Sequence, residues 1–410
     1  MSTQNREFDV VVWGATGFTG ALVAEYLLHK YGVGEGLKWA IAGRNPERLE
    51  AVKASLGSAA ESLATIISDS FDAKELDSMV ARTTVIISTV GPYAKYGSAL
   101  VAACVKAGTH YCDLAGEAHW IRQMIDRHQD AAVESGAKIV HCCGFDSVPM
   151  DMGVWFLQHA ANSRNGQTCG AITMLVKATR GGASGGTIAS ILNLIRESRE
   201  DRSIARVLVD PYGLNPAEER SGPDGRDQQN VRYNEDAESW TAPFIMAGIN
   251  TKVVRRSNAL RSYPYGRDFR YHEAILTGRG FAGWLKASLV TLGLGAFVFF
   301  ASFQSTRAFL ERFILPKPGE GPDAQQRETG FFDLRLFGRL PDGSVLKTRI
   351  TGDRDPGYGS TSKMLSECAI CLAKDDLDSG GGVWTPAAAM GEFLLQRLQT
   401  NAGLSFELLD

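Results

Sequence analysis

Residues 8–20 read Phe8-Asp9-Val10-Val11-Val12-Trp13-Gly14-Ala15-Thr16-Gly17-Phe18-Thr19-Gly20, and this stretch decides the fold. An apolar, β-branched run predicts a buried strand, and the apolar spacing of residues 20–30 predicts a helix. Between them the glycines fall with G-x-x-G-x-x-G spacing, a variant of the dinucleotide fingerprint. A strand before and a helix after supply the context that gives the motif meaning. The glycines permit a tight turn and close backbone approach to a pyrophosphate. The helix start adds unpaired N–H groups and the positive end of its dipole. Gly14, Ala15, Thr16, Gly17, Phe18 and Gly20 are therefore the expected pyrophosphate cradle.

The pattern repeats outward from this turn. Apolar runs at 38–42, 64–67, 85–90 and 139–143 alternate with helical patterns at 46–56, 98–107 and 121–135. Such alternation predicts βαβ units and a parallel sheet covered on both faces. Beyond a helical stretch at 150–161 the texture changes. Residues 170–180, 251–256, 269–276, 331–337 and 345–351 alternate like strands with one exposed face. Ser184-Gly185-Gly186-Thr187 opens a helix to 199, and the Pro-, Gly- and Asp-rich 210–242 reads as an extended loop or lid. Helices follow at 360–372 and, from Thr385-Pro386 as N-cap and N1, to 398. The chain has 410 residues, more than one ordinary core holds. The expectation is an α/β protein with an N-terminal Rossmann domain over 1–150, built on a doubly wound parallel sheet. A second α+β domain on a mainly antiparallel sheet, 151–359, would take the substrate. The C-terminal helices, 360–410, would pack back on the first domain.

The second strand selects the cofactor. It runs into Ala42-Gly43-Arg44-Asn45, with Arg48 one turn onward and no carboxylate before Glu47. A carboxylate there binds the ribose 2′-hydroxyl of NAD, whereas an arginine fork accepts a 2′-phosphate bidentately. Arg44 and Arg48 point to NADP. The fourth strand closes in Ser88-Thr89-Val90-Gly91-Pro92-Tyr93, at the carboxyl edge where such sheets bind ligands. Thr89, Gly91 and Pro92 are expected along the nicotinamide ribose, and Tyr93 at the reacting centre. Asp113 and Glu117 end the next strand, where orienting a ligand and capping a helix are equal readings. Asp146 and Ser147 end the sixth, facing the nicotinamide or capping the helix that Pro149 helps start.

Other chemistries find less support. A formal net charge of −3 gives no footprint for nucleic acid. The seven histidines show no paired ligand spacing, so no metal is expected. Seven cysteines, an odd number, and no basic, apolar leader predict reduced thiols in the cytoplasm. Cys368 and Cys371 form C-x-x-C inside an apolar helical pattern and read as buried small side chains. The cluster Arg255, Arg256, Arg261, Arg267 and Arg270 reads as an exposed strand face, or else as a dock for an acidic carrier protein or anionic head groups.

One segment stands apart. Residues 287–306 carry no charge, a length at the threshold of about 20 residues for crossing a bilayer. Trp284, Lys286 and Arg307 flank it as interfacial residues do. Three readings remain open: a helix in or on a membrane through 283–306, a buried helix along an apolar substrate channel, and a single-span anchor.

With these residues in view, the chain resembles the trans-acting enoyl reductases of mycobacteria, within the saccharopine dehydrogenase-like oxidoreductases. The stretches that carry the resemblance are REFDVVVWGATGFTG, the AGR turn, TVGPYAKYG, CGFDSVP, VVRRSNALRSYPYGRDFRY, PKPGEGP and TPAAAMGEFLL. It implies NADPH-dependent reduction of a carbon–carbon double bond in a polyketide or lipid acyl chain held on a carrier protein or polyketide synthase. Tyr93 and Ser147 are then candidates for hydrogen-bond donor or proton source, with Asp146 beside them. Val148 and Met150 stand where the family has Ile and Ser, which leaves the Asp-Ser pair intact. Two rivals remain: a saccharopine-type reductase of an amino-acid imine, which needs convergent arginines, and a non-catalytic NADP-binding protein on membranes or lipid bodies.

Overall fold

The computed structural model of the chain describes residues 6–34, 36–182, 185–307 and 321–409. The polar start at 1–5, Ser184 at the head of its helix, and 316–320 of the PKPGEGP segment lie outside them. In chain order the first elements are β1 (Phe8–Trp13), α1 (Phe18–Tyr31), β2 (Trp39–Gly43), α2 (Pro46–Ser55), β3 (Ala64–Ile67), α3 (Ala73–Ala81), β4 (Thr83–Ser88), α4 (Tyr93–Tyr96), α5 (Ser98–Ala107), β5 (His110–Asp113), α6 (Ala118–Ser135) and β6 (Lys138–Val140). There follow α7 (Val148–Asn165), β7 (Ala171–Arg180), α8 (Gly185–Glu200), α9 (Arg202–Val209), β8 (Arg232–Asn234), β9 (Ser239–Ala242), α10 (Ala247–Leu260), β10 (Arg270–Gly278) and α11 (Gly280–Ala301). The chain closes with α12 (Ala324–Glu328), β11 (Phe331–Arg339), β12 (Val345–Gly352), α13 (Thr361–Lys374), β13 (Gly382–Trp384), α14 (Pro386–Thr400) and β14 (Leu404–Leu409).

Two compact units form. Met1–Phe145 joins Gly357–Ala402 in the first, and Asp146–Pro356 joins Gly403–Asp410 in the second. The first is built on a parallel sheet of order β13-β6-β5-β4-β1-β2-β3. Val10, Val11 and Val12 in its centre are fully buried, as strands covered on both faces require. Two of its helices start on side-chain caps: Asn45 Oδ1 accepts from Arg48 N (2.9 Å), and Asp72 Oδ1 from Lys74 N (2.9 Å). Thr385 is an N-cap by position but makes no side-chain capping bond.

One buried acid on α13 links it to α1 and α14. Glu367 Oε1 accepts from the hydroxyls of Tyr26 and Tyr31, each at 2.7 Å, and Oε2 from Asn401 Nδ2 (3.2 Å) and Arg397 Nη1 (3.5 Å). Four donors around one carboxylate answer its desolvation. Burial and Glu367 together hold both tyrosine hydroxyls protonated.

The second unit carries a mixed sheet of order β14-β12-β11-β7-β10-β9-β8, antiparallel except for β7 against β10. Helix α7 packs on one face, its Gly153 so close to Ile350 that a Cβ would come to 2.2 Å of Cδ1.

Several expectations need correction here. The first unit gives way at Phe145/Asp146, five residues before the expected boundary. Residues 404–409, expected among the C-terminal helices on the first domain, form a strand that pairs with β12. Within 210–242 lies the hairpin β8–β9, and the loop before it is fastened down. Residues 251–256, expected to alternate as a strand, belong to α10. The reason is the spacing of the cations: Lys252, Arg255 and Arg256 share one helix face at i, i+3 and i+4. Lys252 Nζ donates to Leu208 O (3.0 Å), Arg255 Nε to Asp224 Oδ2 (2.7 Å) and Arg256 Nη1 to Leu214 O. Arg255 and Arg256 are thus buried and not on an exposed strand face.

Candidate active site

Strand β1 delivers the chain into the glycine turn beside β4, its neighbour where the strand order reverses. Gly14 has φ +89°, and a Cβ there would meet Val90 Cγ2 at 2.5 Å and Thr89 Oγ1 at 2.8 Å. At Gly20 a Cβ would lie 2.2 Å from Gly14 O. Both positions therefore exclude any larger residue. Ala21 N makes the first helical bond, to Gly17 O at 3.0 Å, so the start of α1 lies directly at the turn. Thr89 ties the two strand ends together, its N (3.0 Å) and Oγ1 (3.1 Å) both donating to Trp13 O.

A cavity of about 300 Å³ opens over this turn, lined by Gly14, Thr16 and Gly17, by Arg44, by Thr89 and Gly91, and by Asp69, Ser70, Phe71 and Tyr96. Arg44 is exposed at its rim. Arg48, in the first turn of α2, does not line it. Ala15 is buried under the turn, the Phe18 ring packs edge-on against Tyr358 at 5.2 Å, and Pro92 follows a cis peptide bond at the head of α4. Asp69 to Phe71, at the carboxyl end of β3, carry no motif, and Tyr96 lies in the TVGPYAKYG stretch but was given no role there. Position after a strand of this sheet was the only available signal. A glycine cradle that a Cβ would fill, a helix N-terminus at the turn and an exposed arginine at the rim match what a 2′-phosphorylated dinucleotide needs.

Comparison with known proteins agrees. Residues 10–140 match the saccharopine dehydrogenase NADP-binding domain family. A Mycobacterium tuberculosis protein named as a trans-acting enoyl reductase is 42% identical over 418 residues, covering 99% of both chains. The trans-acting enoyl reductase of Mycobacterium bovis is 39% identical over 417 residues, 97% of each. The chain belongs to the trans-acting enoyl reductase family. It is an NADPH-dependent oxidoreductase of the enoyl reductase class. Among solved structures, yeast saccharopine dehydrogenase (L-Glu forming) matches with a TM-score of 0.52 at 13% identity, over 98% of this chain and 99% of that one, which shows a shared fold.

At the carboxyl edge of the parallel sheet, several expected site residues take structural positions. Tyr93, expected at the reacting centre, is turned inward. Its hydroxyl donates to Ser88 O (2.9 Å) and accepts from Leu114 N (3.4 Å), and its ring stacks on Trp120. Burial and the nearby Asp113 push its pKa well above the ordinary tyrosine range, and its hydroxyl is committed to the loop. Glu117 caps, but not its own helix: its two oxygens accept from Tyr93 N (2.8 Å) and Ala94 N (2.9 Å) at the start of α4. Asp113 takes Ala115 N (3.0 Å) and Cys142 N (3.1 Å) on one oxygen and sits 2.8 Å from His141 Nδ1 with the other. Both acids fix loop geometry.

Asp146 and Ser147 begin the second unit. Ser147 is the N-cap of α7 by position yet makes no capping bond. Instead its hydroxyl donates to Asn250 Oδ1 (3.2 Å) on α10, and Asn250 Nδ2 donates to Glu273 Oε2 (3.0 Å) on β10. Tyr271 Oη donates to Glu273 Oε1 (2.9 Å). Burial drives the Glu273 carboxyl up to about 8, against the lowering pull of its Asn250 and Tyr271 hydrogen bonds. Ser147, expected as a donor, is itself fully buried and spends its proton inside this chain of bonds. Asp146 differs: it is half-buried, and burial alone pushes its carboxyl up to about 6.

Proposed function

We propose that the chain reduces the α,β double bond of an enoyl thioester, on a polyketide or lipid acyl chain carried by an acyl carrier protein or synthase. When bound, NADPH supplies the hydride that the β-carbon accepts. The glycine turn would hold its pyrophosphate, Arg44 its 2′-phosphate, and the edge-to-face pair Phe71–Tyr96 (5.8 Å) its adenine. Arg48 would join only as a long-range charge. The proton that the α-carbon takes comes, in this reading, from Asp146. A carboxyl with its pKa near 6 keeps a share of its protons close to neutrality, which suits a general acid. Ser147 and Tyr93 become positioning residues, one anchoring the turn that carries Asp146, the other bracing the β4 edge. The second unit would receive the acyl chain. The protein would work in the cytoplasm, with a peripheral membrane contact through 283–306.

The observation that carries this reading is the exposed Arg44 beside a cradle only glycine can form, in a chain so similar to trans-acting enoyl reductases. The imine rival loses ground because four of its five clustered arginines are committed: Arg255 and Arg256 to the loop before β8, Arg270 to Pro223 O (2.9 Å), and Arg267 to Glu219 and the Tyr263 ring. Incubating the purified chain with NADPH and a panel of enoyl thioesters, while following absorbance and product mass, tests the proposal. Saturated thioester formed mole for mole with NADPH consumed is the expected result. Tight NADPH binding with no oxidation by any thioester would leave the non-catalytic binder standing.

A further inference from the structure

Helix α11 is built inside out. Its small residues Gly283, Ala287 and Ala301 are buried, and Thr277 Oγ1 reaches Gly283 O at 2.9 Å. A Cβ at Gly283 would come within 2.1 Å of Gly278 O, so the helix lies hard against the end of β10. Its large side chains face away from the protein: Phe281 is 74% exposed, Leu292 71%, Leu289 61% and Phe299 59%, continuing to Phe303 past the helix end. A helix made for water does the reverse, and so large an apolar surface marks an interaction site. The helix is long and apolar enough to cross a membrane.

We propose that α11, with α8 against it and α9 adjoining α8, seats the chain on a bilayer that contains anionic lipid, entering one leaflet without crossing. This rests on the peripheral membrane contact proposed above and gives it a lipid class, a depth and a second element. The occupant follows from the ends of the apolar stretch. Trp284 and Lys286 stand at one end. At the other, the Arg199 guanidinium from α8 donates to Ser302 O and lies 5.3 Å over the Phe303 ring. Aromatic rings and cations at both limits of an uncharged run are what a head-group boundary selects. Helix α9 adds Arg202 and Arg206 one turn apart and buries none of its residues. Over 196–206 and 284–307 there are six cations against three acids, Glu197, Glu200 and Asp201, and Asp201 serves as the α9 cap. That excess favours anionic head groups.

Topology excludes a crossing. Strand β10 enters the segment and β11 leaves it, and both pair with β7. A spanning α11, about 33 Å long, would need a second apolar run of about 20 residues to bring the chain back. Arg307, Glu311, Arg312, Lys317 and Glu320 interrupt the sequence that follows.

Flotation of the full chain with vesicles of phosphatidylcholine alone, or mixed with phosphatidylglycerol, tests this. The expected result is at least about tenfold more protein floating with the mixed vesicles, reduced by high salt. L289N/L292N should abolish flotation, and R202E/R206E should lower it to the phosphatidylcholine level. Equal flotation with both vesicles would overturn the anionic preference and leave the membrane contact standing. No flotation overturns both, and a dimer by light scattering that L289N/L292N dissociates would show a second copy covering the helix. Thioester-dependent NADPH oxidation is followed on the same samples in vesicle-free buffer. Its absence from a wild-type chain that floats would fell the enzymatic proposal alone.

Discussion

Arg44 has the clearest consequence of any single residue. It stands exposed at the rim of the cavity, and a guanidinium fork there suits a phosphate dianion. Arg44→Asp should raise the KM for NADPH by about 10- to 100-fold, the effect of one or two lost charge-assisted bonds. NADH, which lacks the 2′-phosphate, should gain relative to it. Steady-state assays with both nucleotides decide, and an unchanged preference would remove Arg44 from the site. Asp146 must be protonated to donate, so kcat/KM should fall as pH rises through about 6. Asp146→Asn should lower kcat by about a hundredfold and erase that limb. A limb that survives would place the proton source elsewhere. Glu273 acts on stability. Its folded pKa of about 8 lies above an unfolded value of about 4.3, so the native state binds the extra proton between them. Stability is then fully present below about pH 4 and declines as pH rises to about 8, by up to about 1.4 kcal/mol per pH unit. Glu273→Gln keeps hydrogen-bonding capacity without the titration, and urea midpoints at pH 5 and pH 8 should converge. An unaltered pH slope would count against Glu273.

Elements differ in how openly the sequence declares them. Most strands of the first unit are apolar on both faces and alternate with helices, so periodicity finds them, but it does not find β13, three residues long and from the far part of the chain. The turn at Gly14–Gly20 was legible because its chemistry needs glycine. Asp69 to Phe71 reach the same cavity through strand order, which no local pattern reveals. Helix α10 was misread because Val253 and Val254 favour a strand locally, while the burial of Lys252, Arg255 and Arg256 against a distant loop decides for a helix. Strand β14 hid behind a helix for the same reason: its partner β12 lies more than fifty residues earlier. The inward turn of Tyr93 and the bond from Ser147 to Asn250 are likewise tertiary, so the motif gave their place and not their task. Helix α13 offers a direct test of such long-range contacts. Glu367→Ala leaves the half-buried Tyr31 hydroxyl and the Asn401 amide short of an acceptor, while Tyr26 keeps Asn401 O at 3.2 Å, and should cost about 2 kcal/mol. Chemical denaturation would read this as an earlier transition. A change under about 0.5 kcal/mol would mean the C-terminal helices are held by packing alone.

At the scale of the whole molecule the chain passes between its units three times, at 145/146, 356/357 and 402/403. The N-terminal strands therefore do not complete the first unit, which waits for α13, β13 and α14 from the far end of the sequence. Likewise β14, the last element made, completes the second sheet. This interleaving predicts what a short truncation does. Ending the chain at Ala402 removes β14, and with it the buried Leu404 and Phe406 and every backbone bond on that side of β12. Each of the two side chains contributes about 1.5–3 kcal/mol by burial, so the second unit should lose much of a typical margin of 5–15 kcal/mol. The first unit loses no element, and its cavity draws on none of the removed residues. NADPH affinity, read by fluorescence titration, should stay within about twofold, while thioester reduction should fail at a lower temperature than in the full chain. Loss of NADPH binding together with β14 would show that the two units do not hold their structures separately, and that the cradle depends on the second sheet being closed.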